Sequence, residues 1–217
     1  MKTHIALMGA GGKMGCRLSD NLKGHPDYAL ACVEVSEGGI ARLTERGLTV
    51  VPRDTALAGA DVVVLALPDR LIGRVSREIV PLLRPGTLVV GLDPACAHAG
   101  VMPEREDVTF FVCHPCHPVL FSDQRPADAS TDWFGGRELP QAVVCALHRG
   151  DERLYGRGEA LARVLFAPVS RTHRLTVEQM ALLEPAVVES TMICCAMVMK
   201  DAMDHAVTSG LPREAVE

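Results

Sequence analysis

The chain has 217 residues, of which 48% are hydrophobic and 23% charged; this is globular composition and excludes a disordered chain. Its 22 Lys and Arg stand against 27 Asp and Glu, a formal charge of −5, and only 4% of residues are aromatic, so nucleic acid is not expected as a partner. No membrane partner is expected either: the greasiest stretch, residues 191–199, ends at Lys200 and Asp201 and is far shorter than the roughly 20 residues a bilayer requires.

The N-terminal apolar run is cut short by Gly9, unlike a signal peptide. The 8 cysteines lie mostly inside apolar runs. They read as reduced thiols of a cytoplasmic protein, not as a disulfide framework.

In chain order, residues 4–8 form an apolar strand and 12–23 a helix with Met14, Leu18 and Leu22 on one side. A second strand is expected over 29–33, a short helix over 40–46 and a third strand over 48–51. The run Asp-Val-Val-Val-Leu-Ala at 61–66 is the clearest buried strand; a helix over 69–83 ends before Arg84-Pro85-Gly86. Strands follow at 87–92 and 108–113. Residues 114–140 are irregular and rich in Pro, Gly and Asp, a length that in compact domains belongs to functional or mobile loops. Beyond them come a strand at 142–147, an amphipathic helix at 151–166 and an edge strand at 169–175.

Thr176 and Gln179 make a capping box that opens a long helix, expected to run to about Ser209 with a kink at Pro185. From 182 to 199 this helix is apolar nearly all round, so other helices should bury it. The start of a further helix at Leu211-Pro212 suggests a missing C-terminal portion or a partner chain over this face.

Strands apolar on both faces, alternating with helices, imply a parallel sheet covered on both sides. Right-handed crossovers then give an α/β, Rossmann-like, doubly wound and mainly parallel sheet, followed by a smaller all-helical region. The expected division is a dinucleotide-binding domain over 1–148 and a helical substrate and dimerisation region over 149–217.

Gly9-Ala10-Gly11-Gly12-Lys13-Met14-Gly15 joins the first strand to the first helix. Glycines permit a tight turn and close approach of a diphosphate, and the helix start supplies unpaired N–H donors. Glu34 ends the second strand, at the distance where an acidic residue receives the adenosine ribose hydroxyls. The alternative is a bare structural turn with Glu34 solvated. No Arg or Lys adjoins Glu34, so NAD is expected over NADP. Gly9, Gly11, Gly12, Lys13, Met14 and Glu34 are the cofactor candidates. Ligands in such sheets lie at the carboxyl ends of strands. That adds Leu67 and Pro68, with Asp69 read as a helix N-cap, and makes Leu92-Asp93 and Cys113-His114 further candidates to line the crevice.

Cys113-His114-Pro115-Cys116-His117-Pro118 is dense in possible ligands. A structural zinc site would need a second matched pair, and none exists. His114 at the end of a strand could act as acid or base, bind a carboxylate or hold a metal; a backbone-bonded loop histidine is the alternative. Glu184, in an apolar helix before Pro185, faces a cleft, binds a metal or pairs with a cation. Glu189 lies five residues on, off its face.

These features together resemble the 6-phosphogluconate-dehydrogenase-like and prephenate-dehydrogenase-like oxidoreductases: the β/α pattern, His114-Pro115 at the end of the sixth expected strand, and the long apolar helix. The strings at 9–15, 114–121 and 176–186 resemble, within that group, an oxidoisomerase of a branched sugar acid, and the likeness covers nearly the whole chain. The resemblance implies an NAD-dependent oxidation of the 2-hydroxyl coupled to an acyloin-type carbon shift. It implies a divalent metal, zinc or a similar cation, with His114 and Glu184 as catalytic residues and first metal ligands. A homodimer is expected. The Lys-x-x-x-Asn of the β-hydroxyacid dehydrogenases is absent, Lys200 to Asp204 being a near miss, so the base is not assigned. A simple hydroxy-acid dehydrogenase and a non-catalytic NAD-sensing module are the alternative readings.

Overall fold

The fold is taken from a computed structural model, which describes residues 2–117 and 139–216, without the side chains of Glu184, Pro185, Val188 and Glu189. The chain forms two compact units, Met1–Val177 and Glu178–Glu217.

The first unit is built on one seven-stranded sheet of order β2-β1-β3-β4-β5-β6-β7. The strands are β1 (Thr3–Met8), β2 (Tyr28–Val33), β3 (Val62–Leu65), β4 (Leu88–Gly91), β5 (Thr109–Pro115), β6 (Gln141–Arg149) and β7 (Val169–Arg174). All neighbours are parallel except β5 and β6. The strand order reverses between β1 and β3, the switch point of a doubly wound sheet. Alternation sends Ile5, Leu7, Val62, Val64, Leu88, Val90, Phe111 and Cys113 to one face. There they pack with Leu18 and Leu22 of α1 (Lys13–Leu22) and Leu161 and Leu165 of α6 (Tyr155–Leu165). The intervening Ala6, Val63, Leu65 and Val89 are equally buried, so the sheet is covered on both sides, as its continuous apolar runs require. α6 and β7 belong to this unit because β7 pairs with β6.

Several local expectations are corrected. Residues 48–51 do not form a strand: only Val50 makes an isolated bridge to Cys32. The helix α2 (Glu37–Glu45) starts earlier than expected, because the Ser36 hydroxyl caps it by accepting from the Gly39 amide. Two short helices went unforeseen, α3 (Arg53–Gly59) and α5 (Ala95–His98). The helix α4 spans Asp69–Ile79 and ends in a single 3-10 turn, Val80–Leu82. Asp69 is its first helical residue; Pro68 holds the cap position.

The second unit carries one helical run in three segments. α7 (Val177–Leu183), which begins one residue before the unit boundary, passes into a π-helix, Glu184–Met192, and then into α8 (Ile193–Thr208), with α9 (Arg213–Val216) after it. The break falls at Pro185, which lacks the N–H of the regular ladder, so a wider-register segment replaces the expected kink. Among the described residues Leu182, Val187, Met197, Val198 and Met199 of this apolar run are exposed, not buried as expected. Among the described residues no helix is long and apolar enough to cross a membrane.

Candidate active site

The carboxyl ends of β1 to β5 carry most of the residues singled out above. Gly9 follows β1 at φ +76, a left-handed conformation that favours glycine. Its amide and that of Ala10 both donate to Val33 O at the end of β2, at 2.9 and 3.1 Å. A Cβ on Gly9 would stand 2.4 Å from Ala66 O and 3.0 Å from the Leu67 side chain, so the turn lies directly against the end of β3. A Cβ on Gly11 would meet Gly39 O at 2.4 Å, and one on Gly15 would meet Gly9 O at 2.1 Å. These three glycines serve close approaches within the fold.

Gly12 differs. A Cβ there would meet only Gly9 O at 3.3 Å and Ala66 O at 3.9 Å. Gly12 is the N-cap residue of α1, with φ −69 and no side-chain cap, and Lys13 and Met14 form the first helical turn, whose amides have no partner within a helix. Gly12 is therefore the least tightly enclosed of the four turn glycines. Lys13 is exposed and Met14 half-buried.

Glu34 is half-buried beside this turn. Its Oε2 accepts from the Gly11 amide at 2.9 Å. Its Oε1 accepts from the Val35 amide, the Ser36 amide and the Ser36 hydroxyl, each at 2.9 Å. Burial pushes the carboxyl pKa up, but these four donors outweigh it and hold the group below its ordinary value. An ionised carboxylate in this position can accept hydrogen bonds from hydroxyl groups and repels a phosphate. The sequence reading missed two neighbours, Arg42 and Gly39. Arg42 Nε donates to Gly11 O at 2.8 Å, and Gly39 abuts both Gly11 and Glu34. The helical spacing of Gly39 and Arg42 on α2 was a usable signal, since residues three apart share a face.

Across the switch point, His114 sits next to last in β5, with its side chain about one quarter exposed (26%). Alternation puts it on the same sheet face as Val112 and opposite Cys113. His114 Nδ1 lies 3.0 Å from Leu92 O and 3.7 Å from Asp93 Oδ2. Asp93 Oδ1 in turn accepts from the Ala95 amide at 2.7 Å, at the start of α5. The neighbouring thiols are poor thiolate sources: burial pushes Cys113 well above the ordinary range, with Cys145 adding to it, and burial raises Cys145 to about 12.

The sheet thus brings Gly9, Gly11, Gly12, Lys13, Met14, Glu34, Leu67 and Pro68 to one region, and His114 to the same edge three strands away. The Glu184 side chain lies outside the described residues; its backbone opens the π-helix of the second unit. Among the described residues no group of three or more His, Cys, Asp and Glu side chains gathers to hold a metal ion. On α8, Lys200 Nζ donates to the Asp204 carboxylate, and that bond raises the Lys200 ammonium pKa, the opposite of what a general base needs.

Residues 122–217 match the family of phosphogluconate dehydrogenase (decarboxylating), C-terminal. The D-apionate oxidoisomerase of Cupriavidus necator is 50% identical over 216 residues, 99% of this chain and 78% of its own length. That of Rhizobium rhizogenes is 50% identical over 98% of this chain and 78% of its own. A crystal structure from Cupriavidus necator, of a semialdehyde dehydrogenase NAD-binding protein in complex with calcium and NAD, is 49% identical. It matches with a TM-score of 0.93 over 100% of this chain and 78% of that one.

Proposed function

The chain belongs to the D-apionate oxidoisomerase family, and on that premise we propose that it is an NAD-dependent enzyme converting D-apionate to 3-oxo-isoapionate. The observation that carries this reading is the glycine turn tied to Glu34 at the switch point of the sheet, where a dinucleotide lies in such folds. NAD, when bound, would supply the hydride acceptor for oxidation at C2 of the sugar acid, with the 2-hydroxyl proton passing to a base. The migrating carbon would then move with its bonding pair from C3 to the new C2 carbonyl; the C3 hydroxyl loses its proton as C3 becomes the ketone, and the C2 oxygen takes up a proton to become a hydroxyl.

The chain's own part is to bind and orient. Gly12 and the first turn of α1 receive the diphosphate, Glu34 the adenosine ribose, and Leu67 and Pro68 line the crevice beside them. His114 stands at the carboxyl end of β5 as the group that takes the proton or holds the substrate. A divalent cation, zinc or a similar ion held by His114 and Glu184, belongs to this reading, and would polarise the carbonyl oxygens. The described residues do not themselves assemble a metal site, so no step is routed through it.

The functional division is dinucleotide binding over 1–148 and substrate binding and dimerisation over 149–217. The exposed Leu182, Val187, Met197, Val198 and Met199 support a homodimer. The free cysteines, five of them buried, suit the reducing cytoplasm.

The test is incubation of the purified protein with NAD and D-apionate, following NADH by absorbance and the product by NMR. A 3-oxo product with the rearranged skeleton is expected. A plain 2-keto acid would leave a simple hydroxy-acid dehydrogenase, and NAD binding without turnover would leave a sensing module.

A further inference from the structure

The ends of β4 and β5 hold a contact network that the reading of His114 above does not use. Leu92 O is an acceptor only, so the ring nitrogen 3.0 Å from it, His114 Nδ1, must carry the hydrogen. In the neutral ring the lone pair is then on Nε2. Asp93 acts on this arrangement in two ways. Its Oδ1 accepts from the Ala95 amide at 2.7 Å, closing a local turn over 93–95 directly after the Leu92–Asp93 peptide. Its Oδ2 stands 3.7 Å from the same Nδ1, a negative charge on the side where the N–H points. Both side chains are only about one quarter to one third exposed, at 26% and 31%, so the charge is partly shielded from water.

We propose that Asp93 is the positioning residue of His114: by holding Leu92 O in place and adding its own charge, it locks the imidazole in the Nδ1–H tautomer, so that His114 works on the substrate through Nε2. The consequence for turnover rests on the assignment of His114 given above; the tautomer does not. A second nitrogen held by a carbonyl or carboxylate is the general means by which a working histidine is oriented.

The chain predicts distinct behaviour for three substitutions. Asp93→Asn keeps an oxygen for the Ala95 amide and loses the charge. Asp93→Ala loses both. His114→Gln serves to assign the histidine signal. In the protein labelled with 15N-histidine, without added metal or substrate, neutral His114 should show the Nδ1–H pattern, and Asp93→Ala should move it towards a mixture of tautomers. In the NADH assay Asp93→Ala should lower kcat about 10–100-fold, the scale found for such supporting partners, with NAD affinity within about twofold of the parent. Asp93→Asn should recover most of the tautomer purity and of kcat.

An Nε2–H pattern in the parent protein overturns the proposal, and so does an Asp93→Ala variant with unchanged tautomer and unchanged kcat. If no sugar acid is turned over at all, the proposed function fails while the NMR measurement still decides the tautomer. If Asp93→Ala does not fold, the parent spectrum and Asp93→Asn carry the test.

Discussion

The Gly11 amide donates to Glu34 Oε2 at 2.9 Å, so the first β/α turn and the end of the second strand form one hydrogen-bonded unit. Glu34 is in this way a structural acceptor, and in the proposed function it also receives the ribose. Substitution of Glu34 should therefore be felt in stability as well as in NAD affinity.

Glu34→Ala should weaken NAD binding by about 1–3 kcal/mol, the scale of lost hydrogen bonds to a charged group, measured by calorimetry. An unchanged affinity would remove the ribose contact. The acid dependence has a definite sign. The carboxyl is held below its ordinary value in the fold, so its contribution is complete above the unfolded value of about 4.3. It is lost as pH falls through the lower folded value. Glu34→Gln should flatten the loss of stability in that acid window and leave its shape at neutral pH unchanged.

Gly12 and Gly15 should separate binding from folding. Gly15→Ala drives a Cβ to 2.1 Å from Gly9 O, whereas Gly12→Ala meets its nearest atom at 3.3 Å. Thermal unfolding should show a large loss for Gly15→Ala. Gly12→Ala should keep nearly the parent Tm yet lose about 1–3 kcal/mol of NAD affinity by crowding the diphosphate. Full affinity in Gly12→Ala would mean that the diphosphate lies elsewhere.

Both tyrosines of the chain are shifted upward. Burial raises Tyr155 to about 12, with Cys145 and Glu159 adding to it and the Arg174 guanidinium, 4.2 Å from the ring centroid, opposing. Burial also raises Tyr28, helped by Asp27. Ultraviolet titration of the folded protein should show no phenolate with the ordinary value of 10.0, and urea should restore it. For an acid whose folded value is raised, the stabilising contribution is present below the unfolded value and is lost as pH rises through the folded one. Stability should therefore decline more steeply between about pH 10 and the Tyr155 value of about 12. In Tyr155→Phe that decline should be reduced.

Glu184→Gln should abolish turnover while NAD affinity stays near that of the parent, because the role proposed for Glu184 is to hold the divalent cation and not the dinucleotide. Turnover with D-apionate and NAD calorimetry on the same sample check both halves. Full activity would remove Glu184 from the site.

The sheet and its first turn were legible in the sequence because they rest on short-range patterns. Apolar runs such as 61–66 cannot be satisfied except between two layers of helices, and glycines between a strand and a helix have few other uses. The same reasoning located Glu34 and His114 at strand ends. It failed at 48–51, where β-branched residues suggested a strand and only Val50 found a partner. It also missed α3 and α5, whose lengths give too few turns for a periodic signal.

What the sequence by itself determined, then, was the alternation of the main strands and helices, the mainly parallel sheet, and which residue types stand at the carboxyl ends of the strands. Only the tertiary structure decided that Arg42 and Gly39 close on Gly11, that Gly12 is less tightly enclosed than Gly9, Gly11 and Gly15, and that Leu92 and Asp93 face the Nδ1 edge of His114. The reason is physical: periodicity reports how each segment meets its neighbours along the chain, whereas these contacts join residues 21 to 31 positions apart, and their distances are set by how the strands pair.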